Sequence, residues 1–186
     1  MLLDLDRYDI TELLQRWSDG DTAARNALFD AVYLPLRRTA QQAPRQGETF
    51  TVSALVHETF LRLSASEAAN FRDRTHFAAV CVLAMKGVLV DQYRRRQTRG
   101  EALPLAAASG LGDTATQQFD LRNAIAELGE LRPEQADALT LRYWGGLDLA
   151  QIAAELKCSI STVQRDLRKA EFFVRTRLHE TQQPPS

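Results

Sequence analysis

Apolar residues recur at three- and four-residue steps along most of this chain, and no segment alternates apolar with polar residues as a half-buried strand would. Ile10, Leu13, Leu14 and Trp17 step along one helical face that stops at Asp19-Gly20. Asp21 is suited to cap a second helix bearing Leu28, Phe29, Val32 and Leu36, with Pro35 as a point of kink or break. Residues 42–51 read as loop. A third helix follows, with Val52, Leu55, Val56, Phe60 and Leu63 on one face. A fourth spans about 74–96, with Phe77, Val80, Cys81, Ala84, Met85, Val88 and Leu89 inward. The pattern predicts an all-α fold.

The texture changes between 98 and 118, where small residues and glycines leave little to bury, as in Ala106-Ala-Ala-Ser-Gly-Leu-Gly112. This stretch reads as a flexible linker between two small helical domains, 6–97 and 119–180. Beyond it, Leu121, Ile125 and Leu128 mark one helix. Pro133 suits the first turn of the next, which carries Ala136, Leu139 and Tyr143 and stops at Gly145-Gly146. Two capping boxes are expected: Asp148 with Gln151, and Ser161 with Gln164.

With 186 residues, 45% apolar and 25% charged, the chain has room for one domain or two small ones. Its longest wholly apolar run, 77–85, is far below the ~20 residues of a spanning helix. The first residues are acidic and show no secretory pattern, and Cys81 and Cys158 have no paired spacing. A cytoplasmic protein without membrane association is the expectation. Net charge is −1, but two segments are locally basic. One holds Lys86, Arg94, Arg95, Arg96 and Arg99 against Asp91; the other holds Arg165, Arg168, Lys169, Arg175 and Arg177 against Asp166 and Glu171. Nucleic-acid binding depends on such local charge rather than on the total.

The second basic segment lies in a pair of helices with helix-turn-helix spacing. Ile152, Leu156, Val163 and Leu167 supply a shared core, and Ala153 is small where the helices must approach. Burying Val163, Leu167, Ala170 and Val174 turns Ser161, Thr162, Gln164, Arg165, Arg168 and Lys169 outward. A helix carrying that set can enter a major groove, where Arg reads guanine and Gln reads adenine. The plainer alternative is an αα-hairpin with a basic solvent face. Lys157 stands where such turns commonly carry Gly, which predicts an adjusted backbone.

Further motifs narrow the reading. The segment Leu55-Val-His-Glu-Thr-Phe-Leu-Arg-Leu63 resembles the polymerase-binding helix of sigma factors. Phe71-Arg-Asp-Arg-Thr-His-Phe-Ala-Ala-Val80 and Val90-Asp-Gln-Tyr-Arg-Arg-Arg96 resemble the helices that engage and melt the downstream promoter element. Leu139-Thr-Leu-Arg-Tyr-Trp-Gly-Gly-Leu-Asp-Leu-Ala-Gln-Ile-Ala153 and Ser161-Thr-Val-Gln-Arg165 resemble the domain that reads the upstream element. In this order and at these separations, the motifs resemble a two-domain bacterial sigma factor of the extracytoplasmic-function (ECF) group. The resemblance implies core RNA polymerase and promoter DNA as partners. It implies Leu55, Val56, Glu58, Thr59 and Arg62 at the polymerase, and Tyr93, Arg94, Arg95 and Arg96 at opened DNA. Unpaired bases are held by stacking beside a basic surface, and this cluster offers both. Phe77 and Trp144 are expected in the core, and His57 and His76 as surface or packing residues. An anti-sigma partner is left open.

One departure stands out. Many relatives open the polymerase-binding helix with an acidic cluster; here those four residues are Thr51-Val52-Ser53-Ala54, without a carboxylate. A phosphoryl group would add about −1.5 to −2 charge there, which the helix dipole favours. Ser53 or Thr51, with Thr49 third, is therefore an expected site for an activating Ser/Thr protein kinase; the plainer reading makes them helix caps. No enzyme is expected: the chain lacks a phosphate-cradling glycine loop, a clustered metal-ligand set and a nucleophile–base spacing. No cofactor or metal is called for. The competing function is a helix-turn-helix regulator that recruits polymerase without melting DNA.

Overall fold

Side-chain caps set where the helices begin. The structure, a computed structural model, describes residues 9–42, 51–65, 71–99 and 113–182. Eight helices and no strand occur among them: α1 (Ile10–Ser18), α2 (Thr22–Gln42), α3 (Val52–Ala65), α4 (Arg74–Thr98), α5 (Asp113–Leu131), α6 (Pro133–Tyr143), α7 (Leu149–Glu155) and α8 (Ile160–Gln182). The Asp9 carboxylate accepts from the Glu12 amide, Asp21 from Ala23 and Ala24, and Asp73 from His76. Asp148 and Gln151 form the reciprocal capping box expected for α7. Each such cap is worth about 1 kcal/mol.

Three local expectations change. The α2 helix runs through Pro35 unbroken, held in the core by the fully buried Val32 and Leu36 on either side. The α5 helix starts at Asp113, within the stretch read as linker, because residues 113–121 join it in one helical run. The expected box at Ser161 is replaced by a cap two residues earlier: the Thr162 amide donates to Ser159 Oγ at 3.1 Å. Residues 43–50 and 100–112, which carry the predicted loop and most of the predicted linker, lie outside the described residues.

The long α4 helix is the centre of the first half. By length and composition it is, among the described helices, the one that could cross a bilayer, yet ten of its side chains are buried inside the protein. Phe77, Cys81, Met85 and Leu89 follow one another down its inward stripe. Phe77 meets Phe71 edge-on at 5.0 Å between centroids, and Phe71 continues through Trp17 and Phe29 to Phe60. In the second half, Leu128, Leu141, Leu147, Ile152 and Val163 form the centre, and Arg177 ties α8 to α5 through Glu127 at 2.5 Å. Trp144, like Phe77, is core. The α4 helix also packs against α5, α6 and α7, so the buried cluster runs through both halves.

Candidate nucleic-acid interface

The turn between α7 and α8 is built from its backbone. Lys157 adopts φ +53°, the left-handed conformation that a β-carbon disfavours, in line with the expected misfit. The Cys158 amide then closes the turn on the Ala153 carbonyl at 3.0 Å, and Ser159 starts α8. Val163, Leu167, Ala170 and Val174 point into the core. Ser161, Gln164, Arg165, Arg168 and Lys169 are exposed, and Thr162 is half-buried with its hydroxyl 2.9 Å from Ser159 Oγ. Arg165 Nε lies 3.5 Å from its neighbour Asp166. One helix face thus carries two hydroxyls, an amide and three cations.

The cluster at the end of α4 is divided. Arg94 and Arg95 are exposed and Arg96 is half-buried. Tyr93 is only 7% exposed, which corrects the expectation of an outward aromatic. It follows Leu89 and Val90 by four and three residues and therefore continues the buried stripe, now against the second half. Its hydroxyl accepts from Gln97 Nε2 at 2.9 Å, and burial raises its pKa.

The α3 helix shows a similar division. Leu55, Val56 and Thr59 are buried; the Thr59 hydroxyl donates to the Leu55 carbonyl at 2.7 Å. They shape the helix from within and do not reach its outer surface. Glu58 is exposed, while Arg62 is half-buried and paired with Asp91 of α4. The outer face holds Ser53, His57 and Leu61 at four-residue steps, with Leu61 51% exposed. His57 is on the surface, one of the two settings expected for it; Leu61 was missed as a surface candidate, although it falls out of phase with the inward set, which was the available signal. On α2, Leu34 is likewise exposed.

At the start of α3, Thr51 Oγ1 accepts from the Ala54 amide at 3.2 Å, so Thr51 is a cap as the plainer reading holds. Ser53 is exposed in the first turn, which carries no acidic residue. Thr49 lies outside the described residues. His57 is exposed; His76 is half-buried with Nδ1 accepting from the Arg72 amide at 3.2 Å. Among the described residues no three His, Cys, Asp or Glu side chains converge as a metal site.

A family profile described as ECF sigma factor matches residues 7–183. The chain is also similar to the ferric citrate uptake sigma factor FecI of Escherichia coli (strain K12), with 28% identity over 168 residues, covering 82% of this chain and 92% of that protein. The ordered motifs, the all-helical architecture and a match over nearly the whole length agree, and the chain belongs to the ECF sigma factor family.

Proposed function

We propose that this chain directs core RNA polymerase to promoters through two separate DNA-facing surfaces and one polymerase-facing helix. ECF sigma factors bind core RNA polymerase and promoter DNA in transcription initiation. The observation that carries the reading is the family match across 7–183, which takes in both halves. In this reading Ser161, Thr162, Gln164, Arg165, Arg168 and Lys169 read the upstream element in duplex DNA. Hydroxyls position on phosphate while Gln and Arg read base edges. Arg94, Arg95 and Arg96 hold the backbone of the downstream element, and Tyr93 serves unpaired bases once its covering is removed. Glu58 and Arg62, with His57 and Leu61 beside them, face the polymerase, while Leu55, Val56 and Thr59 support that face. The protein works in the cytoplasm, where its polymerase is.

The finer part of the proposal concerns control. The first turn of α3 lacks carboxylate, and Ser53 is exposed there. Phosphorylation of Ser53 or Thr51 by a Ser/Thr kinase would restore the negative charge a basic polymerase surface needs. Transcription by sigma-free core polymerase from a promoter library tests both parts. The unmodified protein is compared with a Thr51→Glu/Ser53→Glu variant. Initiation by the Glu variant alone supports sigma function and the switch. Equal initiation by both retains the sigma factor and removes the switch. Promoter binding without initiation in either case favours the regulator that recruits without melting.

A further inference from the structure

Lys169, Phe172, Phe173 and Thr176 step by three and four residues along one stripe of α8, beyond its first turns. With Leu131 and Arg132 at the α5–α6 corner, this stripe walls a groove of about 500 Å³. That volume falls within the roughly 300–1,000 Å³ of small-molecule sites. Phe172 is 73% exposed and Leu131 50%, so the fold leaves a large apolar wall uncovered here. Single exposed apolar residues are ordinary, whereas two sharing one concave groove mark a binding surface. The polar groups at the rim define what fits. Arg132 donates to the neighbouring Leu131 carbonyl at 2.9 Å, and Lys169 is exposed. Among the described residues neither cation pairs with a carboxylate. Gln135 lines the same groove half-buried, and its side-chain amide has no partner among the described residues. Arg177 differs, because Glu127 and Glu180 hold it 5.4 Å over the Phe173 ring. The groove therefore offers one open aromatic ring, one open amide and two unpaired cations.

We propose that this groove binds a free nucleoside polyphosphate, its base stacked on Phe172 and its phosphates held by Arg132 and Lys169. An aromatic face takes any base, an amide meets a base edge, and cations meet phosphate oxygens. A nucleotide within a strand shares that chemistry, but a strand needs cations repeated along its path. Here Glu130 and Glu134 stand two residues to either side of Arg132, and Glu180 closes the far end of the groove. One nucleotide fits; a track does not. Lys169 also belongs to the outward set of α8, so ligand phosphate and duplex phosphate compete for one ammonium. Occupancy of the groove thereby lowers duplex affinity. That consequence rests on the sigma-factor reading, whereas the site itself does not.

Titration of the full chain into N-methylanthraniloyl-ATP and N-methylanthraniloyl-GTP, without DNA or polymerase, tests the site. At least one should bind saturably and be displaced by its unlabelled parent. Phe172→Ala should weaken that binding about tenfold, and Phe172→Trp should retain it. Because Phe172 lies largely in solvent, thermal unfolding of both variants should match the parent. Arg132→Ala should also weaken binding about tenfold. Inorganic pyrophosphate, used as a competitor, separates the two roles: Arg132→Ala should lower its affinity and Phe172→Ala should not. Absence of saturable binding below about 1 mM for both probes overturns the proposal. So does unchanged nucleotide affinity in Phe172→Ala, or displacement of the probe by oligothymidylate at lower concentration than by ATP or GTP. A fluorescein-labelled duplex then tests the consequence. Nucleotide should weaken duplex binding by the parent and leave the Phe172→Ala variant unaffected, as reciprocal coupling requires. Nucleotide binding that leaves duplex affinity unchanged overturns the competition. Nucleotide binding by a chain that takes up no duplex supports the site and counts against the sigma-factor reading alone.

Discussion

Arg62 on α3 forms an ion pair with Asp91 on α4, and its guanidinium lies over Gly87, one helical turn earlier. Asp91 is also 4.0 Å from Arg94, whose other side reaches Glu130 of α5. The α3 helix, the basic end of α4 and α5 are thereby joined by one chain of charges. A β-carbon at Gly87 would stand 2.8 Å from Arg62 Nη1.

Gly87→Ala sets two effects against each other. Alanine in a helix interior gains about 0.8–1 kcal/mol over glycine. Displacing Arg62 loses a pair whose side chains are 38% and 40% exposed, and such pairs contribute roughly 0–1 kcal/mol. Because the guanidinium is the flexible end of its side chain, it moves at little cost. Denaturant unfolding should show unchanged or slightly higher stability; a clear loss would mean the pair is worth more than its exposure suggests.

Phe77→Ala removes a fully buried ring at one end of the aromatic chain. The expected loss is about 3–5 kcal/mol. Leu61→Ser, at a half-exposed position on the outer face of α3, should alter stability by no more than about 0.5 kcal/mol while weakening core polymerase binding. Thermal unfolding and a polymerase pull-down separate these two outcomes.

Lys157→Gly should stabilise the turn before α8. A left-handed β-carbon costs roughly 1–2 kcal/mol, and glycine returns about 0.4–1 kcal/mol of that through the freer unfolded chain. A small rise in Tm is expected, with duplex affinity unchanged because the outward residues of α8 keep their register.

Arg165→Ala and Arg168→Ala distinguish base reading from phosphate anchoring. A base contact should cost about 1–3 kcal/mol and relax the preference at one position. A phosphate contact should weaken all sequences alike and reduce the salt slope by about one. Binding titrations across several salt concentrations and base substitutions assign each residue. If neither variant changes affinity, the α8 face is not the duplex reader.

Acid sensitivity has a local source at the α1–α2 junction. The Ala24 amide, then the Arg16 side chain and the Ala23 amide, hold the Asp21 carboxyl below its ordinary range. Its contribution is complete above the unfolded value of about 3.9 and is lost as pH falls through the lower native value. Asp21→Asn should therefore differ from the parent by a constant amount above about pH 5, and the gap should narrow as the pH drops. Unfolding measured across that range checks the sign.

Much of the site was legible because short-range periodicity carries it. On α8, burying Val163, Leu167, Ala170 and Val174 sufficed to turn Ser161, Gln164, Arg165, Arg168 and Lys169 outward, as found. The Asp148–Gln151 box and the strained Lys157 were legible for the same reason, since both depend on residues within one turn. The cap at Ser159 was missed because two serines two residues apart compete for one role, and local pattern does not rank them. Within α3, the resemblance named Leu55, Val56 and Thr59, which are buried, and did not name Leu61, which is exposed.

The chain's own order of residues determined the helices, most of their caps and the inward faces, because these arise from contacts three or four positions apart. Only the tertiary structure decided that Tyr93 lies beneath α5, that Gly129 receives Val90, and that Glu130, Asp137 and Glu155 answer Arg94, Lys86 and Arg72. Those partners are tens of residues apart. Their meeting depends on how whole helices pack, and no local period encodes it.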